Sequence, residues 1–381
     1  MSTEHSKRAA KFTADVEKTT WHDATFWSVR QKRDKMAHEL PEWEDLRELA
    51  SEIKMHTITH LADYLDVFSK NLESRGVKVH WAKDAQEFNE IVLGILNDHH
   101  VKKMVKSKSM LTEECEMNPY LEKHGIDVVE TDLGERIIQL LGQKPSHIVM
   151  PAIHLKREEV GKMFEEKGIS KEIGNYDPTY LTRCARHHLR DQFMEAGAGM
   201  TGCNFGVAET GDCVVCTNEG NADMTTSMPK LHIVAMGIEK LVPDYKSLAV
   251  FQRLLCRCGT GQPTTAFTSH FRQARPGAEM HVVLVDNGRS DILADKDHWQ
   301  TLKCMRCGAC MNTCPVYRRS GGYSYTYFIP GPVGVNLGML KNPQKYADNV
   351  SACTWCLSCD NVCPSKVGQG SQIYVRRQSL D

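Results

Sequence analysis

The run Cys304-x2-Cys307-x2-Cys310-x3-Cys314-Pro315 recurs downstream as Cys353-x2-Cys356-x2-Cys359-x3-Cys363-Pro364. Eight of the chain's 15 cysteines stand in these two runs. Two-residue gaps let one tight loop aim three thiolates at three corners of a cubane. The fourth cysteine, three residues on, points away and ligates the neighbouring cluster. The proline behind it blocks helix continuation and removes an N–H beside the sulfurs. The spacing therefore predicts two [4Fe–4S] clusters, one on Cys304, Cys307, Cys310 and Cys363, the other on Cys353, Cys356, Cys359 and Cys314. Structural zinc uses two cysteine pairs with a spacer, and nothing in the sequence argues for the oxidising compartment that disulfides need.

Between the runs lies Pro315 to Ala352, a longer interval than a minimal ferredoxin uses. Gly321, Gly322, Pro330, Gly331, Pro332 and Gly334 mark loops and turns. Tyr317, Tyr323, Tyr325 and Tyr327 supply aromatic surface that shields a cluster; the other reading is a docking face. The cluster module spans residues 296–381, entered through a link at Asp295 to Trp299.

Upstream, residues 51–295 alternate strand and helix. Ile58, Leu61, Leu65, Phe68 and Leu72 fall on one helical face, with Gly76 as the stop. Val77 to Ala82 reads as a strand, and Phe88, Ile91, Val92, Ile95 and Leu96 as an amphipathic helix. Further strands are expected at Lys103 to Ser109, Ile126 to Thr131, His147 to Ala152, Leu231 to Leu241 and Met280 to Asp286. Helices are expected at Glu135 to Leu141, Arg157 to Lys167, Pro178 to Ala196 and Tyr245 to Arg257, and one capped by Thr112. Met200 to Glu209 and Asp212 to Thr217 read as a hairpin turning at Thr210 and Gly211. This alternation predicts an α/β domain with a largely parallel sheet. Residues 1–50 read as a charged helical lead-in whose Trp21, Phe26, Trp27 and Trp43 pack on the chain itself; the other reading is a partner-binding arm.

The 47 basic and 48 acidic residues nearly cancel, which argues against a general nucleic-acid or membrane-surface protein. No apolar run reaches the length of a transmembrane span. The polar stretch from Met1 to Lys11 has no signal-peptide core, and abundant cysteine without a secretion signal fits the cytoplasm.

A ligand pocket is suggested by Asn204, Glu209, Asn218, Glu219 and Asn221, short polar groups among glycines near strand ends, where α/β domains bind ligands; turn chemistry uses the same residues. Lys106 and Lys108 at a strand end are candidates to hold an anion, or form a solvated basic edge. Glu209 is the candidate catalytic residue. Gly197-x-Gly199-x2-Gly202 matches a dinucleotide fingerprint but ends a helix and enters a strand, the reverse of what that motif requires. Cys213 and Cys216, three apart on a strand, face opposite sides. Cys256 and Cys258 do not aim two sulfurs at one ion, and Cys115, Cys184 and Cys203 read as packing residues.

The segments 106–110, 130–135, 201–211, 218–221 and 285–290, with both cysteine runs, make the chain resemble the lactate utilisation protein B family of bacterial iron–sulfur proteins. The resemblance implies an LUD domain similar to the NagB/RpiA/CoA-transferase fold, followed by a ferredoxin-like module with two [4Fe–4S] clusters. It further implies an electron-transfer subunit, not active alone, of a system that oxidises L-lactate to pyruvate. The implied companions are a cysteine-rich CCG-domain subunit and a smaller LUD-domain subunit. Two departures stand out. Relatives usually carry a further C-terminal region, and usually lack cysteine at positions 256 and 258. With no flavin or nicotinamide fingerprint in the chain, carbon–hydrogen cleavage falls to a companion or another cofactor. Two alternatives stay open: an electron-transfer adaptor for a different donor, and an LUD-domain ligand-binding redox sensor.

Overall fold

A computed structural model describes residues 3–380. Its strands are β1 (Lys78–Ala82), β2 (Lys103–Lys106), β3 (Asp127–Glu130), β4 (Ala198–Thr201), β5 (Phe205–Val207), β6 (Asp212–Thr217), β7 (Leu231–Gly237), β8 (Leu241–Val242), β9 (Phe267–Phe271) and β10 (Glu279–Val285). Six form a wholly parallel sheet in the order β1-β10-β7-β4-β2-β3. The other four form a second sheet, β8-β5-β6-β9.

Every residue of β7 is buried, as expected for a parallel strand covered on both faces. Its alternating side chains feed two cores. Leu231, Ile233 and Ala235 pack with Phe88, Val92 and Leu96 of the helix Ala85–Asp98. Val234 and Met236 meet Leu61, Leu65, Phe68 and Leu72 of the helix Leu61–Glu73, and Leu241 and Cys213 of the second sheet.

The outer face of the second sheet, through Phe205, Val207, Val214 and Val242, packs with Leu248, Phe251 and Leu254 of the helix Tyr245–Gly259. Met305, Cys307 and Val362 of the cysteine module join the same core. The lead-in helix Val16–His38 lies on that module. Phe26 is fully buried and stacks edge-on to Tyr317, and Arg33 donates to the Val362 carbonyl at 3.2 Å.

Several local expectations are corrected. Residues 147–152 form turns, held by the His147 ring accepting the N–H groups of Val149 and Met150 at 3.0 Å. Ser109, not Thr112, caps the helix Met110–Glu114. Met200 belongs to β4 in the parallel sheet, so the hairpin begins only at Phe205. The glycine- and proline-rich stretch after Pro330 is a buried helix, Gly331–Lys341, with proline in its first turn, where its missing N–H costs nothing. β9, half-exposed and without strict alternation, was not apparent from the sequence.

Gly199 explains one glycine of the false fingerprint. A Cβ there would lie 1.8 Å from the Thr225 carbonyl oxygen, so only glycine lets the helix Asn221–Ser227 seat on β4.

Candidate functional site: a cavity bordered by the first cysteine run

A cavity of about 620 Å³ opens at the carboxyl ends of β2, β4, β6 and β7, the usual ligand position in parallel α/β sheets. Its wall includes Lys108, Asn204, Asn218, Glu219 and Asn221. It also includes Glu114, Asp132, Glu239, Lys240 and Arg289, and from the cysteine module Met305, Arg306 and Cys307. The cavity is thus shared between the α/β domain and the first cysteine loop.

The predicted pocket residues are each held by neighbours. Asn204 Oδ1 accepts the Cys216 N–H at 2.9 Å, and Asn221 links Thr217 and Thr131. Asn218 bonds Gln262 at 2.9 Å. Glu219 accepts the Leu133 N–H at 3.2 Å; burial, with Asp132 nearby, pushes its carboxyl up to about 7. Lys108 donates to the Val149 carbonyl at 2.8 Å and pairs with Glu135 at 3.2 Å.

Two predicted residues lie elsewhere. Glu209 is exposed on the turn between β5 and β6, which carries it away from the cavity; its N–H is bonded to the Pro243 carbonyl. Lys106 is fully buried, and Glu130 at 2.7 Å and Glu113 at 3.1 Å take up its charge.

Along the cavity wall runs an ion network that the sequence did not reveal. Arg289 pairs with Glu239 at 2.5 Å and Glu114 at 3.0 Å. Burial alone would raise the Glu239 carboxyl, but Arg289, Lys240 and Arg306 together outweigh it and hold Glu239 down at about 2. Gly237 leaves room for the pair, since a Cβ there would fall 2.2 Å from the Glu239 carboxylate. The available signal was Arg289 within the 285–290 segment, whose partners are distant in sequence.

The two cysteine runs fold alike. Arg306 and Trp355, second after the leading cysteine of each run, both adopt left-handed backbone, φ 63° and 53°. Their N–H groups point at Cys304 Sγ (3.4 Å) and Cys353 Sγ (3.5 Å). The surroundings then differ. Arg306 faces the cavity, whereas Trp355, Cys356 and Leu357 are exposed. Cys304, Cys307, Cys310 and Cys363 line one small void of about 20 Å³. Cys314 lies among Cys353, Cys356 and Cys359.

Residues 65–290 match the LUD domain family and residues 300–367 the 4Fe-4S dicluster domain. Lactate utilization protein B of Bacillus pumilus (strain SAFR-032) is 42% identical over 357 residues, covering 92% of this chain and 75% of that protein. Its namesake in Macrococcus caseolyticus (strain JCSC5402) is 42% identical over 348 residues, covering 89% of this chain and 72% of that protein. The chain belongs to the lactate utilization protein B family. A crystal structure of a DUF162 family protein from Deinococcus radiodurans is a remote likeness, 13% identical with a TM-score of 0.34 over 59% of this chain and 98% of that one.

Members of the dicluster family bind [4Fe–4S] clusters, and this chain's residues fit them. The donors are all thiols, with backbone N–H groups aimed at Cys304, Cys353 and Cys363. As bare thiols, Cys314 and Cys363 are pushed up to about 11 by burial and by neighbouring cysteines. Iron's positive charge reverses that effect and favours thiolate. Cys258, outside both runs, hydrogen-bonds with Cys307, while Cys256 on the same helix lines the cavity, so the two serve different surroundings. Cys213 is in the core beside Cys203, and Cys216 lines the cavity. Among the described residues no helix is long and apolar enough to cross a membrane.

Proposed function

We propose that this chain is the electron-relay subunit of a multi-protein L-lactate-oxidising system. Cys304, Cys307, Cys310 and Cys363 hold one cluster, and Cys353, Cys356, Cys359 and Cys314 the other. The clusters supply one-electron steps; the chain's own residues bind, orient and insulate. The observation that carries this reading is the asymmetry of two otherwise matching loops. The first borders the enclosed cavity through Arg306 and Cys307, and the second reaches the surface at Trp355, Cys356 and Leu357. That arrangement suits electrons entering beside a ligand and leaving toward a partner. Cys310 and Cys359 are close enough to influence one another, so the two cysteine sets adjoin. The buried Tyr317, Tyr325 and Tyr327, with the helix Gly331–Lys341, insulate them.

The names of the relatives, lactate utilization protein B, support lactate as the fuel. The CCG-domain and smaller LUD-domain companions are the proposed partners, with carbon–hydrogen cleavage on a companion or its cofactor. The test is reconstitution with those companions under anaerobic conditions, following dye reduction driven by L-lactate. Omitting this chain, or substituting Cys356→Ser, should reduce the rate at least tenfold. Full-rate dye reduction without this chain would refute the relay.

A further inference from the structure

We infer that the cavity binds a small carboxylate, clamped by Arg306 and Lys240 at the wall it shares with the first cysteine run. The inference deepens the relay reading and rests on it only for the identity of the carboxylate.

Four cations stand in the cavity wall, and two are already matched. Arg289 is held by Glu114 and Glu239, and Lys108 by Glu135 and the Val149 carbonyl. The Arg306 guanidinium makes no ion pair or hydrogen bond to a described residue, and its Nη1 is buried without an acceptor. Leaving such a group unpaired costs free energy that an incoming acceptor recovers. Lys240 likewise has no hydrogen-bond partner among the described residues; it feels Glu239 first, then Arg306 and Cys304, and Glu239 is already paired with Arg289. The turn Ile238–Lys240 after β7 presents Lys240, and the left-handed backbone of the cysteine loop presents Arg306. Two separate elements thus bring to one end of the cavity three cations, with Arg289, against the two carboxylates Glu114 and Glu239, both of which bond Arg289, beside Met305, Ile148 and Ile329.

The chemistry favours carboxylate over phosphate. A guanidinium fork accepts a carboxylate through two parallel hydrogen bonds. Phosphate sites draw on free N–H groups at helix N-termini. Here those of the helices Met110–Glu114 and Leu133–Leu140 are capped by Ser109 and by Asp132, with Glu219 on the Leu133 N–H. Asp132 in the same wall also opposes a doubly charged group more than a singly charged one. A carboxylate on Arg306 sits beside the backbone that cradles Cys304, so its binding changes the field at that cysteine set.

The test uses the full chain, purified anaerobically with its clusters. Pyruvate, L-lactate and inorganic phosphate are titrated by calorimetry, and the paramagnetic spectrum of the dithionite-reduced protein is recorded with and without pyruvate. Saturable pyruvate binding that perturbs one of the spectra is expected, weakened at least tenfold in Arg306→Gln and in Lys240→Gln at unchanged iron content. If Arg306→Gln loses iron, Lys240→Gln decides, because Lys240 lies outside the cysteine loops. Wild-type affinity in Lys240→Gln, or phosphate bound more tightly than pyruvate, overturns the site. Arginine-dependent pyruvate binding in a chain whose clusters L-lactate never reduces in the assembled system keeps the site and refutes the relay. Lactate-driven cluster reduction with no carboxylate bound to this chain does the reverse.

Discussion

Glu219 and Glu239 line one cavity and are driven in opposite directions, because burial acts on both but only Glu239 has a guanidinium against it. Glu219, raised to about 7, binds its proton more tightly folded than unfolded. Its contribution is therefore present at low pH and fades as pH rises from its unfolded value of 4.5 through about 7. In anaerobic urea unfolding, wild type should lose on the order of 2 kcal/mol relative to Glu219→Gln between about pH 5.5 and about pH 8. A pH-independent difference would remove that effect. Glu239, depressed to about 2, contributes stability above 4.5 that is lost only as pH falls through about 2. Glu239→Gln leaves Arg289 partly unmatched and should cost about 3 kcal/mol, flat across the same pH range. At this scale the sequence exposed the residue types but not their balance of charge. Lys106 looked free until Glu113 and Glu130 met it in space, and Arg306 drew no notice because cysteine spacing says nothing about the intervening side chains.

Helices and strands were legible where the apolar period was long and the packing local. The parallel strands β7 and β10 carry continuous apolar runs, and Leu61, Leu65, Phe68 and Leu72 mark a true buried face. Reading failed where contacts distant in the chain decide. It failed also where a local approach decides: Gly334 in the helix Gly331–Lys341 looks like a turn residue, yet a Cβ there would lie 1.7 Å from the Ile329 carbonyl oxygen five residues back, so it is glycine for proximity. Glu209 seemed to close a pocket because β4 and β5 read as one strand; the break at Gly202 to Asn204 sends them to different sheets. Two substitutions probe these elements. Gly199→Ala should cost about 2 kcal/mol or more by displacing the helix Asn221–Ser227, measured as a lower urea midpoint. Phe26→Ala, on the lead-in helix, should cost about 3–5 kcal/mol. Because Phe26 packs on Tyr317 of the cysteine module, iron content should fall with it. Full iron retention would mean the lead-in does not secure that module.

Across the whole molecule, the α/β domain and the cysteine module build one cavity together, and the second cysteine loop stands at the surface. The paired runs alone indicated a [4Fe–4S] module, because cysteine spacing encodes cluster chemistry directly. That this module closes a cavity of the parallel sheet was hidden, since no local pattern records which loops meet. The decisive measurement is anaerobic stopped-flow absorbance on the chain assembled with the two proposed companions. On the relay reading, L-lactate bleaches the visible cluster band within the turnover time and pyruvate does not. A band that yields only to a chemical reductant would keep the clusters and contradict their place on the path of lactate electrons.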